Sequence, residues 1–181
     1  MGLPLRFCVL LLTVLPAMAA EQAFPPTAPG VAEFKTLPAG MLLKATGQGS
    51  YFDQSNQLFR PLFSYISTNK IAMTTPVEAK IDGAAMYFWV AASEQAKVTG
   101  NTAGVEVIMI PERRVASLGA SGSYSRENFE KTRGELLAWL ARQPGMEAAG
   151  EPYAVYWNGP FTLWFAKHSE VHVPVRPRPT P

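Results

Sequence analysis

Between residues 35 and 175 the hydrophobic pattern switches period in a fixed order. Phe34 to Gly47 reads as a strand, bent at Pro38-Ala39-Gly40. Leu58, Phe59, Leu62, Phe63 and Ile66 then recur at helical spacing and form one broad apolar stripe. Asp53 or Ser55 is placed to cap that helix. Pro61 is tolerated only in a first turn, so it predicts a late start near Gln57 or a kink. Thr68-Asn69 ends the helix. Thr75 is biased toward extended backbone by Pro76, and Pro76–Ile81 and Met86–Ala92 read as strands joined through a turn at Asp82-Gly83. A polar loop over 93–104 leads to strands at Val105–Ile110 and Arg113–Ala120. Ser125 opens the longest helix, with Glu127 and Glu130 in the first turn, where carboxylates suit the helix dipole. Its face is Phe129, Arg133, Leu136, Leu137 and Leu140, and Pro144-Gly145 stops it. Tyr153–Trp157 and Val171–Val175 are the last strands, separated by an aromatic loop from Asn158 to Phe165.

Strand, helix, strand, strand therefore occurs twice, over 35–92 and 113–175. The halves share order without evident sequence identity. The expectation is an α+β fold, a distorted β-barrel or curled sheet built from two β-α-β-β repeats with two main helices packed on it. A groove should lie where a helix and the sheet do not fully close; a plain α+β sandwich without one is the alternative.

The ends read differently from the body. Residues 1–20 have a basic start at Arg6, an apolar run from Phe7 to Leu15, a break at Pro16 and the small residues Ala17-Met18-Ala19. That is the pattern of a secretory signal peptide, and its apolar run falls well short of the ~20 residues a membrane span requires. Residues 21–34, rich in Pro, Ala and Gly, read as a flexible lead-in; 35–175 is the single folded domain, and 176–181 is a Pro-rich tail. The mature chain is then expected to be periplasmic or secreted, with no integral membrane segment.

The one cysteine, Cys8, lies inside the signal, so the mature domain has no disulfide and no thiolate and must be held by its apolar core. The formal net charge of +2, falling by one with loss of Arg6, is no electrostatic footprint for nucleic acid. No Gly-x-Ser-x-Gly elbow, phosphate loop or paired carboxylates are present, so enzymatic chemistry has little to stand on. The imidazoles are His168 and His172. Their local period is that of a strand, which puts the rings ~13 Å apart on one polar face, too far to share a metal. His172 reads as a solvated surface histidine; His168 borders the aromatic loop. Phe59 and Phe63 share a helix face, and Tyr156, Trp157, Phe161, Trp164 and Phe165 crowd the late loop. Any one of these rings is more at home in a core, but a long aromatic loop on a surface exposes apolar area that needs a partner. Arg60, Lys70, Lys167 and Arg176 are cations available at a rim.

The run Leu62-Phe63-Ser64-Tyr65-Ile66-Ser67, followed by Asn69-Lys70-Ile71-Ala72-Met73-Thr74-Thr75-Pro76-Val77, resembles the signature of the SOUL haem-binding proteins. Tyr156-Trp157-Asn158-Gly159-Pro160-Phe161, continued by Lys167-His168-Ser169-Glu170-Val171, is similar to that family's second landmark, and the resemblance spans roughly 35–175. It implies a twofold β-α-β-β barrel. It also implies a non-covalent haem b or related porphyrin, held in an open groove between the first helix and the C-terminal hairpin, mostly by apolar contact without a dedicated axial histidine. The family's helix contacts fall on Phe59 and Phe63, and its basic pair on Lys167 and His168. The fold is also similar to that of GyrI-like small-molecule-binding domains.

The reading is an exported tetrapyrrole binder, monomeric and without nucleic-acid partners. One wall would be Phe59, Leu62, Phe63 and Ile66, and the other Phe161, Trp164 and Phe165. Lys167, His168 and Arg60 would face the propionates, with His168 the candidate haem-iron ligand. The alternative is an envelope module binding another amphiphile or a protein partner. A hydrolase-type enzyme is the third reading, supported only by distant relatives.

Overall fold

The computed structural model describes residues 20–159 and 162–179; the signal-peptide reading and Phe161 lie outside them. The elements are β1 (Glu21–Gln22), β2 (Ala32–Leu37), β3 (Gly40–Thr46), α1 (Tyr51–Thr68), β4 (Thr74–Thr75), β5 (Val77–Lys80) and β6 (Ala85–Val90). They continue with β7 (Glu106–Ile110), β8 (Arg113–Ser121), α2 (Arg126–Ala141), β9 (Met146–Ala148), β10 (Tyr153–Tyr156) and β11 (His168–Pro177). A mixed α+β fold results, with one curled antiparallel sheet and both helices packed on it, as the element order predicts.

The sheet runs β2-β8-β11-β10-β5-β6-β3-β7, with β9 on the end of β11. Outward from the β5·β10 seam come β6, β3 and β7 on one side and β11, β8 and β2 on the other, so the two halves mirror each other in order. The segment 34–47, predicted as one bent strand, is two strands. β2 pairs with β8 in the second half, whereas β3 pairs with β6 and β7 in the first. The matching break in the second half falls at Pro111-Glu112, between β7 and β8. Proline cannot donate to a ladder, so each Pro marks where the chain crosses from one half to the other. Gly40 is required at the first crossing, because a Cβ there would sit 2.5 Å from the Trp89 ring.

α1 starts at Tyr51, not near Gln57 as Pro61 suggested, so Asp53 and Ser55 lie inside the helix and do not cap it. Ser50 caps it by accepting from the Phe52 N–H, and Pro61 lies inside the helix without ending it. Ser125 caps α2 as expected, accepting from Asn128 N. Leu58, Leu62, Tyr65 and Ile66 of α1 and Phe129, Leu136 and Leu140 of α2 are buried against one face of the sheet. The 93–104 stretch contains a short 3-10 helix, Ala92–Lys97.

A second, smaller core lies on the other face, formed by Leu37, Leu42, Trp89, Val115, Val155 and Trp157 around Phe24. Residues 21–31, which composition marks as a flexible lead-in, are bonded across that face. β1 pairs with β4, Thr27 is 1% exposed, and the Gly30 N–H donates to Gly119 O at 2.9 Å. Gly119 has no room for a side chain, since a Cβ would run into the Thr27 and Ala28 carbonyls. Among the described residues no helix is long and apolar enough to cross a membrane.

Candidate functional site

Because side chains alternate along a strand, each sheet face takes every second residue. Val77 of β5, Met86 of β6 and Tyr156 of β10 fall on the helix face and floor a groove of about 270 Å³. Tyr51, Ser55, Asn56 and Phe59 of α1 make its near wall. Tyr124, Asn158 and Gly159 make the far wall, and Met73 closes one end. The first helix and the start of the late loop thus border one open apolar slot.

Three tyrosines dominate it. Tyr156 stacks on Tyr51 at 5.9 Å between ring centroids and tilts against Tyr124 at 4.3 Å. The Tyr124 hydroxyl is fully engaged: it donates to His168 O at 2.9 Å and accepts from Asn158 N at 2.9 Å. The Tyr156 hydroxyl is buried with no partner among the described residues, an uncommon and costly state for a polar group. Burial pushes the Tyr124 phenol up to about 12, against the hydrogen bonds from the backbone at Asn158 and Trp157. Burial also raises Tyr51 and Tyr156, each reinforced by neighbouring tyrosines. All three phenols therefore stay protonated at neutral pH.

The predicted site residues divide. Phe59 lines the groove, and Phe63 stacks on it at 5.4 Å while remaining 49% exposed. Leu62 and Ile66 do not reach the slot; at 0% and 5% exposure they are core residues beneath the helix. Arg60 is exposed on α1. Trp164 and Phe165 meet edge to face in a short 3-10 turn, 67% and 61% exposed, and do not line the slot. The Lys167 ammonium lies 4.9 Å above the Tyr124 ring, beside the far wall. His168 does not enter the groove. Its Nε2 donates to Thr27 O at 2.8 Å and its ring stacks on Trp157 at 6.2 Å, on the opposite face of the sheet. Strand alternation placed His168 and His172 on one face correctly, but the lead-in covers that face. Composition alone does not announce such coverage. Met86, Tyr51 and Tyr124 are groove residues that the sequence reading does not single out; Met73 and Tyr156 stand within its two quoted landmarks but are not assigned to the site there.

His172, read as a solvated surface residue, is fully buried in a polar cluster. Its Nε2 donates to Glu170 at 2.6 Å, and the Tyr153 hydroxyl lies 3.3 Å from its Nδ1. Glu170 also accepts from Thr27 N, Lys35 Nζ, Ser117 Oγ and Trp157 Nε1, at 2.6–3.2 Å. Burial alone would raise its carboxyl. The bond to and charge of His172, the charge of Lys35 and the Thr27 N–H together outweigh burial and hold it at about 2. Each carboxylate oxygen is satisfied, and the cluster ties the lead-in to the sheet. Among the described residues no group of three or more His, Cys, Asp or Glu is placed to hold a metal ion.

The class of fold is shared with GyrI-like proteins. The C-terminal domain of EcmrR superposes with a TM-score of 0.64 at 16% identity, covering 81% of this chain and 97% of that one. EcmrR in its DNA complex gives 0.63 at 15% identity over 80% of this chain, which spans only 57% of that protein. A hydrolase from Listeria innocua gives 0.57 at 14% identity, covering 82% and 94%. No curated protein matches the sequence. Residues 26–174 match the SOUL heme-binding protein family, and the chain belongs to that family.

Proposed function

We propose that this chain binds haem or a related tetrapyrrole, non-covalently, in the groove between α1 and the β5-β6-β10 floor. The observation that carries the reading is the slot itself. Phe59, Met73, Val77 and Met86 offer apolar contact, and Tyr51, Tyr124 and Tyr156 offer ring faces. At about 270 Å³ and open to solvent, the slot takes part of a macrocycle and leaves its acid edge at the mouth. Lys167 stands there to pair with a propionate, and Arg60 flanks the helix side. Leu163, Trp164 and Phe165, exposed and a few residues along the chain from Asn158-Gly159, would supply a further apolar surface for the ring.

The residues fit a holder of the macrocycle better than a ligator of its iron. No histidine lines the groove among the described residues, and His168 is engaged elsewhere. The phenols are held protonated, so Met73 and Met86 supply the thioethers within reach of the cavity. Bound haem would bring a redox-active iron and an intense Soret band. A flat ligand buried on one face gains several kcal/mol at about 25 cal/mol per Å², much of it offset by association entropy, which points to micromolar affinity. Haemin titration followed in the Soret region tests this. Saturable binding lost in Phe59→Asp and weakened in Phe63→Asp supports it; no saturable change, or one indifferent to both variants, overturns it.

A second reading is an amphiphile other than a porphyrin, favoured by the single cation placed beside the far wall. Native mass spectrometry of protein from its own host separates the two: a colourless preparation carrying lipid supports the second. We read the chain as a binding protein and not an enzyme, acting as an exported monomer. Export rests on the character of residues 1–20 alone and is checked by N-terminal sequencing of the protein from an envelope fraction.

A further inference from the structure

The last ladder pair between β10 and β11 is Tyr156↔Ser169, and Trp157 N still donates to His168 O at 3.2 Å. Beyond it the chain projects as a hairpin tip, residues 162–167. Leu163, Trp164 and Phe165 follow one another there at 62%, 67% and 61% exposure. The other large hydrophobic side chains exposed among the described residues, Val31, Phe63 and Met109, are not consecutive in the chain. Trp164 and Phe165 meet edge to face at 5.8 Å, so the two rings project as a pair.

The tip satisfies much of its own backbone. Thr162 N donates to Gly159 O at 3.2 Å, Ala166 N to Leu163 O at 2.9 Å and Lys167 N to Trp164 O at 3.4 Å. Each bond made internally lowers the cost of taking the turn out of water. The tip is also free of negative charge. No Asp or Glu occurs between Glu151 and Glu170, and the cationic residues of that stretch are Lys167 and His168. His168 is turned to Thr27 O, which leaves Lys167 at the foot of the tip. Residues 121–125, joined to that foot by Gly122 N and Lys167 O, carry no charge, and Arg126 and Glu127 after them are opposite in sign.

A protein partner is the poorer fit. An aromatic side chain offers about 150–250 Å², so three side chains exposed by some two-thirds offer about 400 Å². That is half of the ~800 Å² each partner contributes to a stable protein interface. A bilayer requires no matching shape. An aromatic pair on a self-bonded turn, with a lysine at its foot and no carboxylate, suits the boundary between headgroups and acyl chains.

We propose that this tip docks the protein peripherally on a lipid bilayer, with Leu163, Trp164 and Phe165 at the headgroup–acyl boundary and Lys167 among the headgroups. Gly159, which bonds Thr162, and Tyr124, which lies under the Lys167 ammonium, both belong to the far wall of the groove. Docking therefore brings that wall to the lipid, in which an apolar macrocycle dissolves. That use rests on the tetrapyrrole reading; the docking itself does not.

The test is flotation, without tetrapyrrole, of the chain from Ala20, which lacks the apolar Phe7–Leu15 run. The vesicles are phosphatidylcholine alone or an equal mixture with phosphatidylglycerol. Binding is expected to both, about fivefold tighter to the mixture, the effect of one surface lysine. Trp164→Ser and Phe165→Ser are each expected to weaken binding about tenfold or more with urea unfolding unchanged. Met109→Ser, at 66% exposure on the edge strand β7, is expected to leave binding unchanged. Tryptophan emission should shift to the blue on binding, because Trp164 leaves water while Trp89 and Trp157 are already buried. Trp164→Phe should keep most of the binding and lose the shift. No binding at millimolar lipid, binding indifferent to Trp164→Ser and Phe165→Ser, or equal loss in Met109→Ser overturns the proposal. A preference for the mixture above about a hundredfold that salt abolishes also overturns it, since charge would then hold the protein in place of the tip. Self-association lost in Trp164→Ser, in place of vesicle binding, would give the tip to a second copy. Because no tetrapyrrole is present, a failed flotation is separate from a failed haemin titration.

Discussion

Replacing Glu170 by Gln keeps the shape of the side chain and removes the charge. Five donors converge on this carboxylate. Thr27 N and Trp157 Nε1 reach one oxygen; Lys35 Nζ, Ser117 Oγ and His172 Nε2 reach the other. Whichever way the amide is turned, its NH₂ end faces at least two donors, and Lys35 loses its buried counter-charge. Breaking a buried charge pair by removing one partner costs about 3–5 kcal/mol, and that loss is expected at pH 7 in urea unfolding, with an unchanged denaturant slope. The carboxyl's own displacement offers a second gauge. Its folded value, about 2, lies below the ordinary 4.5, so the stability it contributes is present above pH 5 and is lost as pH falls through 4.5 toward 2. At 1.36 kcal/mol per pH unit that contribution is about 3 kcal/mol. Wild-type protein should therefore lose about that much between pH 5 and pH 2, and Glu170→Gln should show a flatter profile over the same interval. A loss below about 1 kcal/mol at pH 7, or acid profiles that run parallel, would refute the idea that this cluster ties the lead-in to the sheet.

Phe24→Ala should destabilise by about 3 kcal/mol in the same assay, because its ring is 5% exposed and contacts Trp89 and Trp157 edge to face. Gly119→Ala should destabilise through the Thr27 and Ala28 carbonyls by about 1–3 kcal/mol, and should speed proteolysis within residues 21–31, read by mass spectrometry. Trp164→Ser should leave stability within about 0.5 kcal/mol, since the ring is 67% exposed, while weakening haemin binding severalfold in a Soret titration. Tyr156→Phe removes the unpartnered hydroxyl and should raise the ligand-free protein's stability by about 1 kcal/mol in urea unfolding, where an ordinary buried tyrosine would lose a hydrogen bond.

Much of the architecture was legible in residue order. The two helical stripes, the Asp82-Gly83 turn and the repeated strand-helix-strand-strand order led to the curled sheet, because period and turn chemistry are local properties. What was not legible depended on long-range placement. Pro38 and Pro111 look like bends, and only strand pairing shows that they send β2 and β7 to opposite halves. Phe24 and Thr27 sit in a stretch whose Pro and Gly content suggests flexibility, yet the face they cover would otherwise leave Glu170, His172 and Trp157 open. That same coverage removes His168 from the candidate site. The helix stripe located one wall of the groove but could not divide its residues: Phe59 faces the slot, and Leu62 and Ile66 face the core, a rotation about the helix axis that periodicity leaves undetermined. Met86 carries no signal of its own, since a methionine in a strand reads as core, and Met73, between α1 and β4, is marked only by the run it stands in.

Methionine-methyl NMR of the protein titrated with zinc protoporphyrin tests the central claim most directly, because a diamagnetic macrocycle shifts the methyls that lie against its face. The Met73 and Met86 methyls, which line the groove, should move upfield together and saturably, while those of Met109 on the exposed β7 and Met146 on β9 stay in place. Saturable binding that leaves Met73 and Met86 unmoved, or that moves Met109 or Met146 in their stead, would place the tetrapyrrole elsewhere and contradict the account.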